Sequence, residues 1–284
     1  MKYGDFINEQ GLQSTPCNKQ LPFVNHVLCN KLFPKNHRSY DLTQKVFIAN
    51  LCCESYPMKI GIIVFPGSNC DKDIHHVLRN VLHVDTDLLW HRRDNLQGYG
   101  AIVLPGGFAY GDRLRAGVIA AFSPVMKEVK RLANEGTPIL GVCNGFQILV
   151  ESGLLPGALM KNNSLKFVCR WTNITVESNR TPFTHALKPK QQLRIPVANQ
   201  EGRYYADPKT IETLENNNQI VFKYHNDDPN GSINGIAGIS NEQGNVVGMM
   251  PHPERASESI LSPFGSDDAV LIFKSLLSYL DEQR

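Results

Sequence analysis

The feature that most constrains this chain is a repeated punctuation downstream of residue 58. Short, uninterrupted β-branched runs, each stopped by Gly or Pro, alternate with segments whose apolar residues recur at helical spacing. "MKIGIIV" stops at Phe65-Pro66-Gly67, "AIVL" stops at Pro105-Gly106-Gly107, and "PILGV" runs into Gly-x-Cys-x-Gly around Cys143. Apolar runs without alternation belong to strands covered on both faces, and such strands belong to parallel sheets whose crossovers are helices. The intervening text supplies those crossovers. "CDKDIHHVLRNVL" carries Ile74, Val77, Leu78 and Val81 on one helical face, and "VDTDLLW" follows as a strand. "RLRAGVIAAFSPVMKEVKRLANEG" reads as helix, break at Pro124, and helix, with Gly136 as the C-cap. "NGFQILVES" reads as a further helix directly after the cysteine.

Residues 165–250 change character. "KFVCRWTNITV", "QLRIPVA", "QIVFKY", "INGIAGIS" and "NVVGMM" are strand-like and separated by Asn, Asp, Pro and Gly turns, the pattern of antiparallel strands on or beside the main sheet. "DDAVLIFKSLLSYL" closes the chain as an amphipathic helix with Val270, Phe273, Leu276 and Leu277 on one side. The predicted architecture is therefore an α/β fold: an open, mostly parallel sheet covered by helices on both faces, with a small antiparallel addition. The first 57 residues hold four of the seven cysteines and show no sustained periodicity, so residues 1–57 read as an extension and 58–284 as the domain.

Composition removes several classes of function. A formal charge of +2 with Lys and Arg scattered among Asp and Glu lacks the clustered basic surface of a nucleic-acid binder. No apolar run approaches the roughly 20 residues that span a bilayer, and the N-terminus has no secretory pattern. The reading is of a cytoplasmic protein with no membrane partner. An odd number of cysteines without C-x-x-C spacing predicts reduced thiols and no metal site.

The chemistry gathers at strand ends. Glycines 141 and 145 flank Cys143 as in a nucleophile elbow, and the helix after it offers unpaired N–H groups and a positive dipole end, which favour thiolate. A lone elbow cysteine is more often a small buried hydrophobe. Two further strand ends favour the nucleophile. "VLPGGF" supplies unhindered backbone N–H groups for an oxyanion, and "MMPHPER" places His252 and Glu254 at i, i+2 on an extended segment, where the carboxylate can orient the imidazole. Cys70, which lacks the second flanking glycine and the elbow, reads as a helix-start cysteine with no assigned role; vicinal His75 and His76 cannot chelate one metal from one face.

"GVCNGFQ", "LPGGF" and "MMPHPER" together resemble the class I, triad-type glutamine amidotransferases. "FPGSNCDKD", "GGFAYGDRLRAG", "CNGFQILVESGLLPGAL", "FVCRW", "TPFTHAL" and "VVGMMPHPERA" are similar, more narrowly, to the glutaminase subunits of phosphoribosylformylglycinamidine synthases, from Met58 nearly to Arg284. The resemblance implies a flavodoxin-like sheet, Cys143 as nucleophile toward L-glutamine, His252 as acid and base, and Glu254 as its orienter. It further implies N–H groups of Gly107 and Asn144 as the oxyanion hole and Gln147 as a substrate contact. It implies association with a large ATP-dependent synthetase subunit and a small bridging subunit; no phosphate loop occurs here, which leaves ATP and Mg²⁺ with the synthetase and no cofactor in this chain. One departure stands out: Asn199 and Gln200 replace the His-Gly pair of many members, whereas Glu201, Gly202 and Arg203 match. Two rivals remain at this stage, a cysteine hydrolase of the same architecture and a noncatalytic binding subunit.

Overall fold

The computed structural model describes residues 59–284; the predicted extension, residues 1–57, lies outside them. The first apolar run forms β1 (Ile60–Val64), buried along its length except at the last residue. It leads through the Pro66-Gly67 turn into α1 (Asp71–His76), which widens into a π-helical turn over Val77–Val81, and then into β2 (Thr86–Trp90). β3 (Ala101–Leu104), β4 (Ile139–Val142) and β11 (Val246–Met249) are buried throughout. Nine strands form one sheet in the order β2-β1-β3-β4-β11-β10-β9-β6-β7. The first five are mutually parallel.

From β1 the chain crosses one way to β2, and from β3 it builds the other way to β4. Right-handed crossovers run in opposite directions put α1 on one face of the sheet and the helices of the β3–β4 connection on the other. Those helices are α2 (Val118–Ala121) and α3 (Val125–Asn134), joined through Pro124, which caps α3. The reversal between β1 and β3 is a topological switch point, where loops diverge and leave a crevice beyond the strand ends. α4 (Asn144–Glu151) follows β4 and packs against β3, β4 and β11. Phe146 on its buried side is fully inaccessible and stacks on Tyr204, with ring centroids 6.1 Å apart. Burying a side chain of that size contributes about 2–3 kcal/mol, which anchors the helix that carries the cysteine corner.

The antiparallel strands continue the same sheet. β6 (Val168–Val176), β7 (Gln192–Asn199), β9 (Ile220–Tyr224) and β10 (Ile236–Ser240) extend it beyond β11, while β5 (Ala158–Met160) and β8 (Arg203–Tyr205) pair separately. The "NVVGMM" run departs from the antiparallel expectation: as β11 it is antiparallel to β10 but parallel to β4, with Met249 opposite Val142. The β10–β11 hairpin returns the chain beside β4, and this return brings residues 250–255 to the same sheet end as Cys143.

Two helical expectations change. Residues 113–117 are not helical, because Leu114 (φ 69°) and Gly117 (φ 81°) adopt left-handed backbone that ends one arrangement before α2 begins. α5 (Pro208–Asn216) is an addition; its signal was present as Asp207-Pro208, where the Asp207 carboxylate accepts from the Lys209 and Thr210 N–H groups and Pro208 occupies the first turn. α6 (Val270–Glu282) buries Val270, Phe273 and Leu276 as the pattern predicts, with Leu277 only partly covered.

Candidate active site

Cys143 sits between β4 and α4 with φ 51° and ψ −105°, a backbone conformation costly for any residue with a Cβ. It is held there from both sides: its N–H donates to the Met249 carbonyl at 2.7 Å, and its carbonyl accepts from the Gln147 N–H at 3.1 Å. Gly145 makes the corner possible, since a Cβ on it would collide with the carbonyl oxygen of Leu104 in β3. Cys143 is 5% exposed but is not sealed in; it lines two cavities.

The first cavity, about 200 Å³, is bounded by Cys143, Gly107, Phe108, Ala198, His252 and Cys70, among others. His252 and Glu254 are each 1% exposed. The His252 Nδ1 lies 2.6 Å from Glu254 Oε1, which makes Nδ1–H the donor to the carboxylate. Nε2 is buried without a hydrogen-bond partner among the described residues and is the ring atom left for the sulfur's side of the cavity. Pro251 and Pro253 stiffen the segment, and the His252 N–H donates to the Pro196 carbonyl at 2.9 Å, so β7 holds it in place. The Cys143 thiol faces the same strand, with Sγ 3.7 Å from the Ala198 carbonyl. Burial opposes a charge on the His252 ring, yet the Glu254 carboxylate and the neighbouring Cys143 outweigh it and hold the imidazole pKa well above the ordinary histidine value.

Gly107, just beyond β3, has φ 143°, and a Cβ there would lie 2.5 Å from the Asn69 backbone nitrogen. Only glycine lets the loops after β1 and β3 approach this closely. Asn69 and Cys70 N–H groups both donate to the Gly106 carbonyl, which ties the two loops together at the switch point. Asn144 begins α4, where main-chain N–H groups lack intrahelical partners. Its side chain accepts from the Ala109 N–H at 3.0 Å and donates to Gln147 Oε1 at 2.9 Å. Gln147 in turn donates to the Glu201 carbonyl at 2.7 Å.

The second cavity, about 270 Å³, runs from Cys143 and Gln147 to Asp112, Lys161, Gln200 and Glu201. Burial, reinforced by the Glu201 charge, pushes the Asp112 carboxyl up to about 6. Asn199, at the departure from the family pattern, is buried and lines the second cavity: its Oδ1 accepts from Asn230 Nδ2 at 2.6 Å, and its carbonyl accepts from Asn162. Gln200 lines the same cavity beside it.

Cys143, Gly107 and His252 thus share one cavity, Glu254 stands behind His252, and Gln147 lines the adjoining space. Cys70, given no role from sequence, lies inside the site: Sγ is 3.9 Å from His252 Nδ1 and accepts from Arg255 Nη2 at 3.0 Å. Burial raises the Cys70 pKa, against the pull of His252. Asp112 and Arg255 were within quoted motifs, but nothing in their spacing assigned them to the cavity walls.

An open α/β sheet with an elbow thiol at one strand end and a carboxylate-oriented imidazole at the next is the architecture of the class I glutamine amidotransferases. The chain belongs to the CobB/CobQ-like glutamine amidotransferase domain family, whose model matches residues 57–280. A chain of PurLQS from Thermotoga maritima is 43% identical, over 79% of this chain and 99% of that one, with a TM-score of 0.71. The glutaminase domain of Trypanosoma brucei CTPS, solved with bound acivicin, shares the fold at 14% identity, covering 78% of this chain and 94% of its own, with a TM-score of 0.50. No helix among the described residues is long and apolar enough to cross a membrane.

Proposed function

We propose that this chain is the glutaminase subunit of a phosphoribosylformylglycinamidine synthase, hydrolysing L-glutamine and passing the ammonia to an ATP-dependent synthetase subunit. The observation that carries the chemistry is the meeting of Cys143 with the His252–Glu254 pair in one cavity. The 43% identity to a PurLQS chain supports the narrower assignment. The Cys143 sulfur attacks the side-chain amide carbon of glutamine, and the Gly107 and Asn144 N–H groups receive the developing oxyanion, a single such donor contributing ~3 kcal/mol. His252 gives a proton to the leaving nitrogen, the C–N bond breaks, and ammonia departs from a γ-glutamyl thioester. Water, deprotonated by His252, then attacks the thioester; the C–S bond breaks and glutamate leaves. Glu254 balances the imidazolium in both halves.

The second cavity suits the rest of a free amino acid. It offers Lys161 for an α-carboxylate and Asp112 with Glu201 for an α-ammonium, and it is large enough for one glutamine. Gln147 orders this wall through the Glu201 carbonyl. A protein substrate would need an open groove at this point, so the charge complement favours an amidotransferase over a peptidase. ATP and Mg²⁺ are assigned to the large synthetase subunit, a small bridging subunit joins the two, and a cytoplasmic location belongs to the same proposal.

The test is the Cys143→Ala protein assembled with its synthetase. Glutamine-dependent amidine formation is expected to vanish while ammonia-dependent formation persists, and a glutamine-mimicking alkylator is expected to label Cys143 in the unmodified chain. Labelling of Cys70 alone would overturn the assignment of the nucleophile.

A further inference from the structure

Beyond the triad, the site holds a third buried group with metal-binding chemistry. One ligand atom each from Cys70, His252 and Glu254 lies within 4.8 Å of the other two, and all three residues are buried. We propose that Cys70, His252 and Glu254 form an inhibitory Zn²⁺ site, in which the metal takes the place of the Nδ1 proton between His252 and Glu254 and draws in the Cys70 thiolate.

The ligand set is mixed sulfur, nitrogen and oxygen, which suits Zn²⁺ better than the hard cations Mg²⁺ or Ca²⁺. Tetrahedral bonds of roughly 2.0–2.3 Å set ligand atoms about 3.5 Å apart. The Cys70 Sγ to Nδ1 distance is 3.9 Å and the Nδ1 to Glu254 Oε1 distance is 2.6 Å, so one gap closes slightly and the other opens. Independent of the clustering, Glu254 Oε2 is buried with no hydrogen-bond partner among the described residues. A carboxylate oxygen left in that condition is costly, and a cation satisfies it. The cavity over Cys143 gives access and room for a water as fourth ligand.

Arg255 points to the same conclusion from the other side. Its guanidinium already supplies a positive charge here, donating to Cys70 Sγ at 3.0 Å and standing 4.0 Å from Glu254 Oε1. Its side chain is 37% exposed, so it can swing outward when a metal arrives. Arg255 is therefore a competitor that keeps zinc affinity down. On binding, the Cys70 S–H proton goes to water as the Zn–S bond forms. The ring enters as the imidazolium, gives its Nδ1 proton to water as the Zn–N bond forms, and keeps the proton on Nε2, the nitrogen that otherwise takes a proton from Cys143. A ring so protonated is no longer a base toward the sulfur.

The inhibition arm rests on the proposed function, whereas the binding arm rests on geometry alone. The experiment uses the full chain with Cys17, Cys29, Cys52 and Cys53 changed to Ser, which leaves Cys70, Cys143 and Cys169 as thiols. Co²⁺ as a spectroscopic stand-in for Zn²⁺ is expected to give thiolate-to-metal absorption in this protein and in its Cys143→Ala form. That absorption is expected to be lost in Cys70→Ser, and Zn²⁺ affinity against a competing chelator is expected to fall there at least tenfold. Arg255→Met, a second variant that leaves all three ligands in place, is expected to bind Zn²⁺ several-fold more tightly. Unchanged Co²⁺ absorption in Cys70→Ser, loss of it in Cys143→Ala, or weaker Zn²⁺ binding in Arg255→Met would each overturn the site. Should Zn²⁺ bind as described in a protein that fails the glutamine assay, the functional reading fails and the metal site stands.

Discussion

Replacing Glu254 with Gln isolates what the carboxylate does for His252. The two residues are each 1% exposed and their closest N···O distance is 2.6 Å. Unit charges at that distance attract by about 6 kcal/mol at an effective dielectric constant near 20. Burying the ions takes back several kcal/mol. A net preference for the imidazolium of roughly 3 kcal/mol is left, and it applies to every step in which His252 carries the extra proton. The amide oxygen introduced by Glu254→Gln can still accept from Nδ1–H, so the ring keeps its tautomer and only the charge is lost. Glutaminase kcat/KM in the assembled synthase is therefore expected to fall by about 10²-fold, with 10³-fold as the upper end. Because Glu254 raises the His252 pKa in the unmodified chain, its removal is also expected to move the titration of His252 to lower pH. The assay is glutamine hydrolysis from pH 5 to 9, with ammonia-dependent synthesis as the check on assembly. A variant with the parent rate and an unmoved pH profile would refute the role of Glu254 as charge partner.

Two further outcomes follow from the corner and the second cavity. Gly145→Ala drives a methyl group into the Leu104 carbonyl and is expected to cost about 3 kcal/mol, lowering the melting temperature by roughly 10 °C; a shift under 2 °C would contradict the packing described. Asp112→Asn is expected to raise KM for glutamine at least tenfold with a smaller change in kcat. In the unmodified chain KM is expected to rise as pH falls below about 6, where Asp112 takes up a proton and loses its charge. The same raised pKa means that the folded state holds the Asp112 proton more tightly than the unfolded chain. Stability therefore declines as pH rises from the ordinary carboxylate value to about 6, and Asp112→Asn is expected to recover about 1 kcal/mol at pH 7, allowing for partial exposure. Chemical denaturation of the two proteins at pH 7 and pH 4 reads this difference, which should shrink at the lower pH.

The parts of the site legible in the sequence share one property: each marks a strand end in local text. Cys143 between two glycines, Gly107 after "VLPG", and His252 between prolines with Glu254 just beyond announce themselves within a few residues. Cys70 did not, because its partners His252 and Arg255 lie 182 and 185 positions away and come beside it only when β11 returns next to β4. Asp112 was hidden for a related reason. Its cavity is lined by segments far apart in the sequence, after β3, at the start of α4, after β5 and at the end of β7, and its left-handed backbone (φ 50°) has no signature in a residue that more often marks a turn. The parallel core was readable from its unbroken apolar runs, whereas the direction of β11 was not, since a buried strand reads alike whichever way its neighbours run.

Val142 and Met249 stand opposite each other on adjacent strands, and Cys143 and His252 follow them by one and three residues. Neighbouring strands lie about 4.8 Å apart, a spacing set by the peptide backbone and indifferent to side-chain identity. The gap between sulfur and ring is thus measured by a ruler that substitutions elsewhere in the interior cannot stretch. Lengthening the hairpin turn near Gly244 leaves the ruler intact, while one extra residue between Met249 and His252 would turn the imidazole away from its partner.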